Sequence, residues 1–292
     1  MAHLERIGST LVKGLGWSQH ERIGVAVGGL DRDRRWTPVW ADDLTCLRAP
    51  QFPAMVRLVV EPGDLPGDDQ HVVHQEARIR YYDRRIPARV HDGPLARRLS
   101  AEAGRQVLLA RTLFSDAIVW GAPVSVLLRS ELAGLPSDTD RYRPNLVIDD
   151  RDAPLALAAG SRLEVGAVTL EVVGELERCV IIDHDPVTGQ KDHSLLRRIR
   201  PGALLAYGCM VVTEGELAVG DPVRAMLAAW TGQDAAKDDD DGAHRGAQGA
   251  AGADEPRGDH PRRIGPACGH ARDQPGGAAH HRRAQLRLSG PW

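Results

Sequence analysis

Cys179 is the residue of this chain whose type and surroundings most favour chemistry. It follows Arg178 directly and precedes an acidic turn, Asp185-Pro186-Val187-Thr188-Gly189. A neighbouring cation lowers the pKa of a thiol and favours the thiolate, which is the form that binds metals or attacks sulfur. Apolar runs on both sides predict that this thiol lies at the mouth of a sheet. The alternative is that Cys179 is a small core residue, as unreactive cysteines usually are.

The spacing of the other reactive residues narrows the kind of chemistry. Cys46, Cys179, Cys209 and Cys268 are far apart, and no two of them have zinc-finger spacing. No Ser-His-Asp order or Cys-His pair stands out, and His184 would act as a general base only if its ring faced the sulfur. A single thiolate among anion-binding groups favours a soft metal that an anionic organic cofactor brings.

Two segments near the N-terminus carry basic groups of this kind. Lys13 precedes Gly14, so a point charge suited to phosphate is followed by a residue that allows close backbone approach. Arg34 and Arg35 lie in a charged turn before Trp36, and a guanidinium group matches phosphate and carboxylate geometry. The alternatives are a solvated surface lysine and a ladder of weak surface ion pairs.

The segment Arg143-Pro144-Asn145 places an arginine and an amide together at the entrance to a predicted strand. Proline favours an extended backbone for the residue before it, which is Arg143 here. Several donors beside one amide acceptor suit an anionic ligand that carries a heterocycle. The alternative is that Arg143 forms an ion pair with Asp140 or Asp149.

The elements that must position these residues are mostly strands. In the N-terminal part, β-branched and aromatic runs predict strands at 23–27, 36–40, 56–60 and 78–82. Apolar spacing predicts helices over 94–103 and 124–135. Later runs predict strands at 146–148, 162–165, 168–173, 180–182, 204–212 and 217–219, with a tight hairpin at 166–167.

We therefore predict a mainly β fold with a few helices, of the α+β class. Residues 1–98 are expected to form a small β-barrel or sandwich, and residues 99–227 a second, barrel-like β domain. Residues 228–292 are rich in Gly, Ala, Pro, Arg, His and Asp, so we expect a disordered tail. A metal-binding tail at His280-His281 and a frame-shifted C-terminus are the alternatives for this segment.

Charge and hydropathy exclude some classes of partner. The net charge is −3, so bulk electrostatics do not predict a nucleic-acid partner. No apolar run approaches the roughly 20 residues of a membrane span, and the first residues lack the pattern of a secretory signal. We expect a cytoplasmic protein.

Taken together, these segments resemble the MOSC family, named for the C-terminal domain of molybdenum cofactor sulfurases, with its N-terminal β-barrel companion. The resemblance spans nearly all of residues 3–225. The matching motifs are Lys13-Gly14 (family PVK), Asp33-Arg34-Arg35-Trp36 (DRxW), the stretch from Leu44-Thr45 to Pro50, Arg141-Tyr142-Arg143-Pro144-Asn145 (RFRPN), and Arg178-Cys179 with Asp185-Pro186-Val187-Thr188-Gly189 (RC…DPxTG). Two departures are Trp120-Gly121-Ala122, where the family has an acidic residue, and 127–132, where it has small hydroxyl residues.

The resemblance implies a binding site for the molybdenum cofactor, molybdopterin. Cys179 would be both the catalytic residue and the protein ligand of molybdenum, while Lys13, Arg34, Arg143 and Asn145 would hold the pterin and its phosphate. It implies an oxidoreductase that reduces N-hydroxylated compounds with electrons from a separate redox protein. The alternatives are a sulfur carrier with a persulfide on Cys179, supplied by a PLP-dependent desulfurase, and a binding module for cofactor delivery.

Overall fold

The computed structural model describes residues 1–60, 63–113, 117–119, 121–199 and 204–226. Within them, three β-sheets and one α-helix account for most of the regular structure. The prediction of a mainly β fold with little helix is confirmed. The predicted disordered tail at 228–292 lies outside the described residues. No helix in the described part of the chain is long and apolar enough to cross a membrane.

The largest sheet has eight strands and contains the largest apolar core. Its strands, in spatial order, are β15 (Val223–Met226), β11 (Arg162–Val165), β12 (Val168–Glu177), β13 (Leu204–Thr213), β9 (Val124–Leu128), β10 (Leu146–Asp149), β1 (His3–Ser9) and β2 (Ser18–His20). All neighbours are antiparallel except β9 and β10, which are parallel. The hairpin predicted at 166–167 is confirmed, because Val165 pairs with Val168.

Two smaller sheets complete the fold. One has the order β14 (Gly215–Ala218), β3 (Arg22–Ala26), β4 (Gly29–Leu30), and the other has the order β5 (Trp36–Trp40), β8 (Val107–Thr112), β7 (Arg84–His91), β6 (Val72–Tyr81). The N-terminal strands β1 and β3 thus pair with the later strands β10 and β14. The division at residue 98 stays a prediction, but the sheets are shared across it.

The only α-helix of the described residues is α1 (Pro94–Ala103), and its predicted bounds are confirmed. Pro94 occupies the first turn, where a missing N–H costs nothing. Gly104 ends the helix in the left-handed conformation, with φ 65°. Leu95 and Leu99 are completely buried against the second apolar core. The short 3₁₀ helices are Pro53–Arg57, Arg129–Leu132, Thr139–Tyr142, Val180–Asp183 and Leu195–Arg197.

Three of the predicted elements are wrong. The predicted helix at 124–135 is β9 followed by the 3₁₀ helix Arg129–Leu132. All five residues of β9 are buried, and a continuous apolar run fits a fully buried strand as well as a helix. The predicted strand at 180–182 is the 3₁₀ helix Val180–Asp183, and the predicted strand at 56–60 overlaps the end of the 3₁₀ helix Pro53–Arg57 and continues without regular structure. In both, apolar side chains are buried by a single helical turn rather than by strand pairing.

Candidate functional site

Cys179 lies just beyond the end of β12, at the N-terminus of the 3₁₀ helix Val180–Asp183. Its carbonyl oxygen accepts a hydrogen bond from the Ile182 N–H at 3.3 Å. The side chain is partly buried and packs against an apolar cluster that includes Ile182 and Leu205. This is the strand-end position that the sequence predicts.

Arg178 brings a cation to this sulfur. Its Nε donates to the Leu205 carbonyl oxygen at 2.8 Å, whereas its buried Nη2 has no hydrogen-bond partner among the described residues. Burial lowers the pKa of Arg178 to about 10, and the adjacent Cys179 partly opposes that change. A guanidinium nitrogen that is desolvated but unpartnered is a donor available to an anion.

Arg143 approaches Cys179 from a different element. It follows the 3₁₀ helix Thr139–Tyr142, and its Nη2 donates to the Leu15 carbonyl oxygen at 2.5 Å. Burial lowers the pKa of Arg143 to about 10. The nearby Arg34 lowers it further, while Asp33 and Cys179 raise it. The predicted extended backbone at Arg143 is wrong: φ is 53° and ψ is 45°, in the left-handed region.

The alternative ion pairs for Arg143 are not formed. Asp140 pairs with Arg6, and Asp149 pairs with Arg151. The charge of Arg143 is therefore not neutralised by either of the carboxylates beside it in the sequence.

Arg34 and Asp33 form the buried centre of the site. The Arg34 side chain is 14% exposed and the Asp33 side chain 4%, with 3.3 Å between Arg34 Nη1 and Asp33 Oδ2. Asp33 Oδ1 also accepts the Thr10 N–H at 2.9 Å. These are not the solvated ion pairs that were the alternative for this turn. Arg34, like Arg143, has a left-handed backbone, with φ 52°.

Lys13 completes the group of cations. Its N–H donates to the Trp36 carbonyl oxygen at 2.8 Å, and its Nζ lies 5.1 Å from the centre of the Tyr81 ring. Burial lowers the pKa of Lys13 to about 7, Arg34 and Arg143 lower it further, and Asp33 opposes them. The lowered pKa of Lys13 thus reflects poor hydration and the positive charge of the two neighbouring arginines.

Asn145 is fully engaged within the protein. Its Oδ1 accepts from the N–H and the hydroxyl of Ser125, both at 3.0 Å, and its Nδ2 donates to Gly8 O at 3.2 Å and Asp33 Oδ2 at 3.0 Å. The side chain is completely buried. Its role in holding a cofactor stays a prediction. The observed bonds tie β1, β9 and β10 to the turn that carries Arg34.

Sequence reasoning missed Trp17, which lies between the site arginines. The Cζ atoms of Arg34 and Arg143 lie 5.6 and 5.1 Å from the centre of its ring. Nothing in the sequence marks Trp17, because it lies outside every predicted strand and helix.

Arg141 connects its own motif, Arg141–Asn145, to the acidic turn at Asp185, a structural role that sequence reasoning did not assign. Its guanidinium donates two parallel hydrogen bonds to Asp192, at 2.7 and 2.8 Å, and lies 3.7 Å from Asp185. Asp185 in turn accepts the N–H groups of Val187 and Thr188 at 2.9 and 2.7 Å. The acidic turn is thus held by Arg141 rather than directed at the cysteine.

The remaining chemical candidates are unreactive or outside the described residues. Burial raises the pKa of the Cys46 thiol to about 11 and that of Cys209 to about 12, so both stay protonated in the core. His184 places Nδ1 3.2 Å from the Val180 carbonyl oxygen within its own turn. Cys268 lies outside the described residues.

The donor set fits an anionic cofactor that carries a soft metal. Lys13, Arg34, Arg143 and Arg178 act electrostatically on one another or on Cys179, and Asp33 is the carboxylate buried among them. The thiolate would be the soft ligand, and the cations, above all the unpartnered Arg178 Nη2, would bind phosphate and pterin oxygens.

Comparison with known proteins gives one family. Residues 122–224 match the MOSC domain, and no curated protein matches the chain. Among solved structures, the chain matches the YuaD protein from Bacillus subtilis, with 13% identity and a TM-score of 0.38 over 77% of this chain and 94% of that one. It also matches YiiM from Geobacillus stearothermophilus, with 13% identity and a TM-score of 0.27 over 36% of this chain and 54% of that one.

Proposed function

Since residues 122–224 of this chain are a MOSC domain, we propose that the protein binds the molybdenum cofactor beside Cys179 and works as an oxidoreductase. The proposed reaction is the reduction of N-hydroxylated compounds, with electrons from a separate redox protein. The cytoplasmic location expected from the sequence belongs to the same proposal.

The observation that carries this proposal is a group of four neighbouring cations, two of which lie beside Cys179. Cys179 raises the pKa of both Arg143 and Arg178. Arg34 lowers the pKa of Arg143, and Arg143 lowers the pKa of Lys13. Like charges this close repel, which destabilises the fold without an anion. A dianionic phosphate group would remove that repulsion.

Backbone strain supports the same conclusion. Arg34 and Arg143 both adopt φ values near +50°, at 52° and 53°. A side chain other than glycine pays about 1 kcal/mol or more for this conformation, which the surrounding structure must enforce. Two arginines with this backbone conformation that lie over the same indole ring are more typical of a ligand site than of a surface loop.

In this proposal each residue has a separate task. When bound, the cofactor supplies a metal that changes oxidation state by two electrons. Cys179 would hold the metal through its sulfur, while Arg143 and Arg178 keep that sulfur deprotonated. Arg34 and Lys13 would bind the phosphate, and Lys13 Nζ would carry the proton that accompanies binding. Asn145 would keep Asp33 and Arg34 in register with β1 and β9.

An assay of amidoxime reduction tests the proposed oxidoreductase activity directly. An amidoxime would accept two electrons and two protons, its N–O bond would break, and an amidine and water would leave. We expect cofactor-loaded protein to convert benzamidoxime to benzamidine with reduced methyl viologen as the electron donor. Arg143→Met should abolish turnover, and the exposed Arg151→Met should retain it. Absence of turnover in fully loaded wild-type protein would reject the oxidoreductase function.

The same positive surroundings favour a second candidate, in which Cys179 carries a persulfide. Arg143 and Arg178 would stabilise a persulfide anion for the reason that they stabilise a thiolate. In that case metal-free protein incubated with a PLP-dependent desulfurase and cysteine should carry sulfur that cyanide releases. Cys179→Ser should carry none, and absence of this sulfur in wild-type protein would reject the second candidate.

A further inference from the structure

Trp17 lies against two members of the cation group, Arg34 and Arg143, yet neither the motifs nor the proposed chemistry gives it a task. The indole is partly buried, and the guanidinium groups of Arg34 and Arg143 lie over its ring, at 5.6 and 5.1 Å. A cation over an indole face is attracted by the ring quadrupole, most strongly where water is excluded.

We propose that Trp17 is a positioning residue of the anion site, whose indole holds Arg34 and Arg143 together so that both can bind one phosphate group. This inference rests on the proposed function, because it assumes that the cations bind an anion.

The need for such a residue follows from the charges. Arg34 lowers the pKa of Arg143, which means that the two guanidinium groups repel each other. Asp33 offsets part of this repulsion, because its carboxylate lies 3.3 Å from the Arg34 guanidinium group. Arg143 donates a hydrogen bond to the Leu15 carbonyl oxygen, which carries no charge. The indole therefore contributes attraction to both arginines, which form no salt bridge with a second carboxylate among the residues that the structure describes.

The indole itself is fixed by the sheet. A Cβ atom at Gly8 would lie 1.9 Å from Trp17 Nε1, so the ring edge occupies the space that a side chain on β1 would need. Gly8 also exchanges backbone and side-chain hydrogen bonds with Asn145, at 2.8 and 3.2 Å. Gly8 thus sets the position of the indole, and through Trp17 the position of the arginines.

The experiment measures binding of phenyl phosphate to cofactor-free protein by calorimetry. The variants are Trp17→Leu, Trp17→Phe and Gly8→Ala, all of which leave every charge in place. Trp40→Leu is the matched control, because an arginine also lies over the Trp40 ring, with Arg105 Cζ 4.5 Å from its centre. Arg105 is exposed and forms an ion pair with Asp42, so it does not belong to the anion site.

We expect Trp17→Leu to weaken binding about tenfold, which equals about 1.4 kcal/mol. Trp17→Phe should recover part of the loss, because it keeps an aromatic face, and Trp40→Leu should bind as wild type. Trp17→Leu should also shift the pH at which binding weakens to higher values. Arginines released from the indole would move away from Lys13, whose proton they now help to remove.

The outcomes separate the two proposals. Folded Trp17→Leu with wild-type affinity and an unchanged pH profile would overturn the role of Trp17 and leave the anion site intact. If Trp17→Leu does not fold, Gly8→Ala decides, and unchanged affinity in that variant would overturn the role equally. Failure of wild-type protein to bind phenyl phosphate would overturn both proposals.

Discussion

At the scale of single residues, the account depends on how protons are held at the site. Cys179 and Lys13 are the two groups that must be in a particular charge state, the first as a thiolate and the second as an ammonium group when an anion binds. Burial and the neighbouring Arg34 and Arg143 lower the pKa of Lys13. An incoming anion must therefore supply the charge that keeps Lys13 protonated.

Lys13 predicts a pH dependence of anion binding. Its pKa in the ligand-free protein is about 7 instead of the usual 10.5, so it is increasingly neutral as the pH rises above that value. A phosphate monoester has its second pKa near 6 and is already a dianion in this range. We therefore expect affinity for phenyl phosphate to fall as the pH rises from about 7 to about 9.

Lys13→Arg provides the matched variant, since a guanidinium group keeps its charge throughout this range. Its affinity should change little with pH, and calorimetry in buffers of different ionisation enthalpy should show proton uptake in wild type alone. Equal pH profiles for the two proteins would show that Lys13 does not titrate with binding.

At the scale of elements, the site depends on pairs that join distant segments. Arg141, from the 3₁₀ helix Thr139–Tyr142, holds Asp192 beyond the acidic turn with two hydrogen bonds. Gly189, in that turn, has φ 71°, and a Cβ atom there would lie 3.1 Å from Ala54 Cα. The turn is thus fixed on one side by an ion pair and on the other by close packing against Pro53–Arg57.

Arg141→Met should destabilise the protein measurably. Arg141 is 5% exposed, and removing it leaves Asp192 without its bidentate partner. Because Asp192 is 36% exposed and can be rehydrated, we expect a loss of about 2 kcal/mol in the free energy of unfolding, measured with urea.

Arg151→Met is the matched control for this pair. Arg151 donates two hydrogen bonds to Asp149 at 2.9 and 2.6 Å, but its side chain is 66% exposed. Solvated pairs of this kind contribute little to stability, so this variant should unfold as wild type. Equal losses in both variants would mean that burial does not decide the strength of these pairs.

Sequence reasoning recovered the elements that local chemistry fixes. The bounds of α1 follow from Pro94 and Gly104, and the β11–β12 hairpin follows from the turn at Gly166. It failed at β9, where every residue is buried on both faces and the apolar spacing fits a helix equally well. Local patterns do not reveal which elements will cover a segment.

The same limit applies to the site. Lys13, Arg34, Arg143 and Cys179 stand out by type and neighbours, and the structure brings their charges together. The tasks of Trp17, Arg141 and Asn145 depend on partners between 17 and 137 positions away in the chain. Only the folded sheet shows that the Asn145 side-chain amide forms its hydrogen bonds with Ser125, Gly8 and Asp33.

At the scale of the whole molecule, the N-terminal strands belong to the sheets that carry the MOSC domain. β1 lies between β10 and β2 in the eight-stranded sheet, and β3 lies between β14 and β4. Leu4 and Ile7 of β1 are completely buried in the largest core. Lys13 and Trp17 lie between β1 and β2, and Arg34 follows β4. The proposed anion site therefore combines this N-terminal segment with Arg143 and Arg178 from much later in the chain.

A fragment of residues 99–227 should therefore not fold alone. It lacks β1 and β3, which would leave one edge of β10 and the strand β14 without a partner strand and part of the largest core exposed. We expect the fragment to give no cooperative urea transition by circular dichroism, whereas residues 1–227 should give one. A cooperative transition in the fragment would show that the shared strands are dispensable for folding.

The central claim, that Cys179 holds molybdenum at a cationic site, is tested most directly by metal analysis. Wild-type protein and Cys179→Ser would be purified from a host that makes the cofactor, and their molybdenum and phosphate contents measured together. We predict near-stoichiometric molybdenum in wild type and a large loss of it in Cys179→Ser. Equal molybdenum in the two proteins would contradict the claim that Cys179 is the ligand, and no molybdenum in either would contradict the molybdenum site itself.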